Sequence, residues 1–83
     1  MARILIVDDE ESIRETLKEI LDYEGYEIEE AKDGEEALAK IKKFNYDAVL
    51  ADIKMPKLDG IELLEKCKEI APELPFIMIS GHG

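Results

Sequence analysis

Three acidic side chains stand where short apolar runs stop. Asp8 and Asp9 follow "RILIV" at residues 3 to 7, and Asp52 follows "DAVLA" at residues 47 to 51. Carboxylates gathered at one spot repel, and one of them takes up a proton unless a cation sits between them. An all-oxygen donor set suits a hard divalent ion, and Mg²⁺ fits a site with few protein ligands and several waters. Glu10, Glu11 and Ser12 have a simpler reading as a helix start, where acidic groups favour the dipole. Plain exposure to water is the third way to tolerate this acidic run.

The elements that must position these residues follow from periodicity. Residues 3 to 7 are branched and apolar throughout, as in a strand buried on both faces. Ile13, Leu17, Ile20 and Leu21 recur at helical spacing over residues 12 to 24, and Gly25 sits where a helix-terminating glycine is expected. "YEIEEA" at 26 to 31 alternates at first, which predicts a half-exposed edge strand. Asp33 caps a second helix with Glu36 three positions on, its apolar side carrying Ala37, Leu38, Ile41 and Phe44. "DAVLAD" is a third strand and "IKMPKLDG" a loop. Asp59 and Glu62 resemble a capping pair for a third helix with a stripe of Ile61, Leu64 and Cys67. "FIMIS" at 76 to 80 is a fourth strand.

Strand–helix alternation of this kind predicts an α/β fold, a parallel sheet with right-handed crossovers. With the half-exposed strand at an edge, the strand order becomes 2-1-3-4. Winding then reverses beside the first strand, and sites in such sheets form outside the carboxyl ends of strands at that point. Neighbouring strands lie about 4.8 Å apart, so Asp8, Asp9 and Asp52 should converge.

Composition narrows the function. The chain has 83 residues, enough for one small domain, and a net charge of −10 from 11 basic and 21 acidic residues. No basic patch is available to displace counterions from phosphates, which argues against direct nucleic-acid binding. Nothing approaches the ~20 apolar residues of a membrane span. The single cysteine, Cys67, excludes an internal disulfide, and with no signal peptide in view it points to a reducing, cytoplasmic compartment.

"ILIVDDE", "DAVLADIKMPKLDGIELL" and "FIMISGHG" together resemble the receiver domain of two-component response regulators, a CheY-like, flavodoxin-like fold. The terminal "SGHG" is similar to receivers of NtrC-type, enhancer-binding transcription activators. The resemblance implies that Asp52 is a phosphoacceptor, taking a phosphoryl group from a histidine kinase or phosphotransfer protein. It implies that Asp8, Asp9 and Asp52, with the backbone carbonyl of Lys54, hold Mg²⁺. It gives Ser80 the role of a switch hydroxyl that meets the phosphoryl oxygen, and Pro56 and Gly60 the shaping of the rim. On this reading the chain is no enzyme, and at most promotes its own phosphorylation.

Members of that family continue past the fourth strand with a helix, a fifth strand and a last helix, so residues 1–83 are expected to form a single partial receiver domain. A lysine and an aromatic residue of the family's fifth strand have no counterpart here; Lys54 and Lys57 are the nearby cations that could approach a phosphate. "FIMI" is apolar without alternation, the mark of an interior strand, yet it would lie at an edge. One sheet face would also be bare over the third and fourth strands. These features predict a homo-oligomer, formed through the fourth strand's edge or the bare face. The alternative function is therefore a half-domain, truncated or engineered, that self-associates and transfers phosphate poorly. A metal-dependent phosphohydrolase with an aspartyl nucleophile is a third class, but the D-x-D arrangement it wants is missing. His82 reads as a terminal loop residue, Cys67 as packing, Met55 and Met78 as loop anchor and core filler. The tyrosines Tyr23, Tyr26 and Tyr46 read as boundary residues with hydrated hydroxyls, and Lys40, Lys42 and Lys43 as a solvated helix face.

Overall fold

The computed structural model describes residues 1–79, so Ser80 and His82 lie outside the described residues. The element order is β1 (Arg3–Val7), α1 (Glu11–Tyr23), β2 (Glu27–Ala31), α2 (Gly34–Lys43), β3 (Ala48–Asp52), α3 (Gly60–Ile70) and β4 (Phe76–Ile79). The strands form one sheet in the order β2-β1-β3-β4, and every neighbouring pair is parallel. The expected topology is thus observed, with element ends shifted by one or two residues.

The pleat sorts the strand residues onto two faces. Leu5, Val7, Ala31, Val49 and Ala51 share the main core with Ala37 and Ile41 of α2, Leu63 and Cys67 of α3, and Met55 and Leu58 of the β3–α3 loop. Ile4 and Ile6 are buried on the opposite face, where α1 packs against β1 and β2. Leu50 and Ile77 are the register neighbours of Ile6 across β3 and β4. Ile77 remains 51% exposed, so the bare area expected over β4 is present among the described residues.

Caps set the helix starts. Asp33 accepts the Glu36 N–H at 2.8 Å. Glu36 reaches back to the Lys32 N–H at 3.1 Å, one residue before the cap. Asp59 and Glu62 form a reciprocal capping box. Gly25 ends α1 with a φ of 93°, a left-handed conformation that glycine adopts without strain.

Several packing expectations are corrected. The buried side of α3 is Gly60, Leu63 and Cys67, not Ile61 and Leu64; Ile61 is 52% exposed and Leu64 only half-buried. The phase is set by Gly60, because a Cβ there would overlap the Asp52 carbonyl oxygen, so this turn must face β3. Ile20 of α1 is exposed, and no residue of that helix is fully buried, because among the described residues no second helix flanks it on that face. Phe44 is the C-cap of α2 in extended conformation and turns outward, leaving it exposed. Tyr46 donates its hydroxyl to Glu29 Oε1 at 2.9 Å instead of to water, and Lys40 Nζ donates to the Glu30 carbonyl at 2.6 Å.

Candidate functional site

The register of β1 and β3 builds the site. Val7 pairs with Ala51, so Asp8, just past the end of β1, and Asp52, the last residue of β3, stand side by side on one rim. Asp8, Asp9 and Asp52 each offer a carboxylate oxygen, and these oxygens lie within 4.8 Å of one another. Asp8 and Asp52 are buried and Asp9 is exposed, so the pocket has two walled sides and one open to water. All three carboxylates named from the sequence are therefore brought together.

Asp8 is held at three points. Its N–H donates to the Ala31 carbonyl at 3.2 Å. Its Oδ1 accepts the Glu10 N–H at 2.9 Å. Its carbonyl oxygen accepts from Arg14 Nη1 at 2.7 Å. The remaining oxygen, Oδ2, is buried and has no hydrogen-bond partner among the described residues. An orphaned buried acceptor is costly. Burial pushes the Asp8 pKa above its ordinary value, the Glu10 amide opposes the rise, and repulsion from Asp52, Asp9 and Glu10 adds to it. A bound cation would relieve both the orphaned oxygen and the repulsion, so the donor set fits a hard divalent ion.

The loop after β3 walls the open side. Asp9, Ile53, Lys54, Met55, Pro56 and Asp59 line a shallow cleft beside the carboxylates. Met55 is buried as the loop's anchor, while the Lys54 and Pro56 side chains are exposed. The Gly60 N–H donates to the Ile53 carbonyl at 2.9 Å, which closes the loop onto the end of β3. Lys57 Nζ is 3.7 Å from Asp33 and 3.8 Å from Glu35, so its charge is engaged at the start of α2. Cys67 is buried and burial pushes its thiol pKa up, as befits a packing residue.

Two residues that serve this site carried no sequence signal strong enough to single them out. Gly34 is the first residue of α2, and a Cβ there would overlap the carbonyl of Leu58, so glycine lets the β3–α3 loop seat against α2. The Asp-Gly pair at a helix start was the available hint. Arg14 lies on the sheet-facing side of α1 beside Ile13, Leu17 and Leu21, and nothing in the local pattern shows that it reaches back to the end of β1.

Comparison with known proteins agrees with this geometry. Residues 4–83 match the family model described as response regulator receiver domain. The response regulator MprA of Mycolicibacterium vanbaalenii is 41% identical over 80 residues, which is 96% of this chain and 35% of that protein. The chain therefore spans about a third of the length of that curated relative. The response regulator TrrA of Thermotoga maritima, in complex with Mg²⁺ and beryllium fluoride, is 46% identical with a TM-score of 0.96, over 100% of this chain and 72% of that one. TrrA in complex with the histidine kinase ThkA gives a TM-score of 0.93 at the same identity and coverage.

Proposed function

The chain belongs to the response regulator receiver domain family, and on that premise we propose that Asp52 is a phosphoacceptor in a two-component phosphorelay. The donor is a phosphohistidine on a histidine kinase or phosphotransfer protein. An Asp52 carboxylate oxygen attacks phosphorus, the P–N bond breaks, a P–O bond forms, and the imidazole nitrogen keeps the electron pair and takes up a proton. Mg²⁺ would be held by Asp8, Asp9, Asp52 and the Lys54 carbonyl, and would neutralise charge on the acids and on the transferring group. Asp8 would offer its buried Oδ2, Asp9 its exposed carboxylate, and the loop anchored by Met55 and Gly60 the Lys54 carbonyl. Ser80 follows Ile79, the register partner of Asp52, which supports its role as the hydroxyl that meets a phosphoryl oxygen. The chain is a phosphoacceptor and not an enzyme turning over a separate substrate. On this reading residues 1–83 are a single partial receiver domain; among the described residues no helix is long and apolar enough to cross a membrane.

The observation that carries this reading is the convergence of three carboxylates around an orphaned buried oxygen. Its test is phosphorylation with Mg²⁺ and a small phosphodonor, read by intact mass. A single added phosphoryl group that disappears with chelator and with Asp52→Asn is expected. Labelling that survives in Asp52→Asn would end the assignment.

A second reading concerns assembly of the 83-residue chain. The outer edge of β4 and the half-exposed Ile77 support pairing of two copies through this strand or its bare face. Sedimentation equilibrium at micromolar concentration decides it: a dimer is expected, and a folded monomer contradicts it.

A further inference from the structure

The carboxylates are aimed by a group that is not one of them. We propose that Arg14 is a positioning residue for the cation pocket, clamping the Asp8 carbonyl to Glu30 of β2 and so fixing where Asp8 and Asp9 present their oxygens. This rests on the reading of the pocket as a Mg²⁺ site.

The Arg14 side chain is 15% exposed, and its two bonds leave in different directions from one plane. Nη1 donates to the Asp8 carbonyl at 2.7 Å, and Nε to Glu30 Oε1 at 3.3 Å. The bond to the carbonyl matters most, because that oxygen belongs to the peptide plane joining Asp8 to Asp9. Rotation of this plane would redirect the exposed Asp9 carboxylate and shift the Oδ2 of Asp8. The Ala31 and Glu10 bonds hold the Asp8 N–H and Oδ1 but leave this plane unpinned. Glu30 is itself braced: Lys18 Nζ stands 3.8 Å from its Oε2, and Lys40 of α2 donates to its backbone carbonyl at 2.6 Å. The clamp thus ties α1, β2 and α2 to the end of β1. Glu30 also balances the guanidinium charge, so a cation beside this pocket is not opposed by an uncompensated arginine. A planar guanidinium serves two acceptors at once in a fixed geometry, whereas a lysine ammonium on a flexible stem is not pre-set for both. Groups that orient metal ligands in this way typically change metal affinity about 10–100-fold when removed.

The experiment is Mg²⁺ titration by isothermal titration calorimetry on the 83-residue chain, with thermal unfolding of each metal-free variant alongside. Arg14→Met is expected to weaken Mg²⁺ binding about 10-fold, at the low end for such orienting groups. Arg14→Lys is expected to weaken it as well. Lys18→Met, which loses only the outer ion pair to Glu30, should bind like the parent. If Arg14 merely holds α1 to the sheet, its variants melt earlier while the folded protein binds Mg²⁺ as the parent does, and the proposal is overturned. Full affinity in Arg14→Lys overturns the two-acceptor clamp. Should Arg14→Met fail to fold, Arg14→Lys and Glu30→Gln carry the test; Glu30→Gln leaves the guanidinium unbalanced and must also bind Mg²⁺ more weakly. A parent chain that binds no Mg²⁺ overturns the pocket reading and the clamp together, whereas a binding parent with equally binding variants overturns the clamp alone.

Discussion

Replacing Asp8 by asparagine separates the cost of gathering the carboxylates from the gain of filling the pocket between them. Asp8 and Asp52 are 0% and 1% exposed, and with Asp9 they bring oxygens within 4.8 Å of one another. Two unit charges at that separation repel by about 3.5 kcal/mol at an effective dielectric near 20. Asparagine keeps an Oδ1 acceptor for the Glu10 N–H and removes the charge. Without metal at about pH 8, Asp8→Asn is therefore expected to be more stable than the parent by about 1–3 kcal/mol, relaxation absorbing the rest. For a domain of this size that is a rise in Tm on the order of 5–20 °C. The pH dependence has a definite sign. Burial, then repulsion from Asp52, raises the folded pKa of Asp8 above 3.8, so the folded state holds its proton longer than the unfolded one. The penalty is absent below the unfolded value, grows as pH rises to the folded value, and is constant above it. The advantage of Asp8→Asn should thus shrink toward zero near pH ~4. Mg²⁺ offsets most or all of this advantage: at about 100 times its Kd it stabilises the parent by about 2.7 kcal/mol and leaves Asp8→Asn almost unmoved. Thermal unfolding followed by circular dichroism, in chelator and in Mg²⁺, reads both effects. A metal-free Asp8→Asn that melts below the parent at about pH 8, or one that gains as much from Mg²⁺, would refute the reasoning.

Three other outcomes follow from the packing. Gly60→Ala forces a Cβ onto the Asp52 carbonyl and is expected to cost about 1–3 kcal/mol and to weaken Mg²⁺ binding, while Gly25→Ala, with nothing within 4 Å but a φ of +93°, costs about 1 kcal/mol and leaves Mg²⁺ affinity unchanged; denaturant titration and calorimetry distinguish the two. Leu63→Ala removes a fully buried side chain and should lower stability by about 2–5 kcal/mol in urea unfolding. Burial first, then the bond to Glu29, pushes the Tyr46 pKa up to about 12, so spectrophotometric titration should show one late tyrosine step that vanishes in Tyr46→Phe. Because this folded pKa lies above the unfolded one, the contribution is full below pH 10 and is lost as pH rises through 10 to about 12.

Local pattern alone determined the element order, the parallel 2-1-3-4 sheet, the caps at Asp33 and Asp59, and the choice of Asp8, Asp9 and Asp52 as a converging set. Those properties are encoded at short range: side-chain period, the acceptor before a helix, and the end of an apolar run. Tertiary structure decided the rotation of α3, where the approach of Gly60 to the Asp52 carbonyl buries Leu63 and turns Ile61 outward. It also decided the partners of long side chains: Arg14 on the Asp8 carbonyl and Glu30, Lys57 on Asp33 and Glu35, Tyr46 on Glu29. A flexible stem can meet any acceptor within its reach, so its partner is set by how the elements dock and not by the residues beside it in the chain.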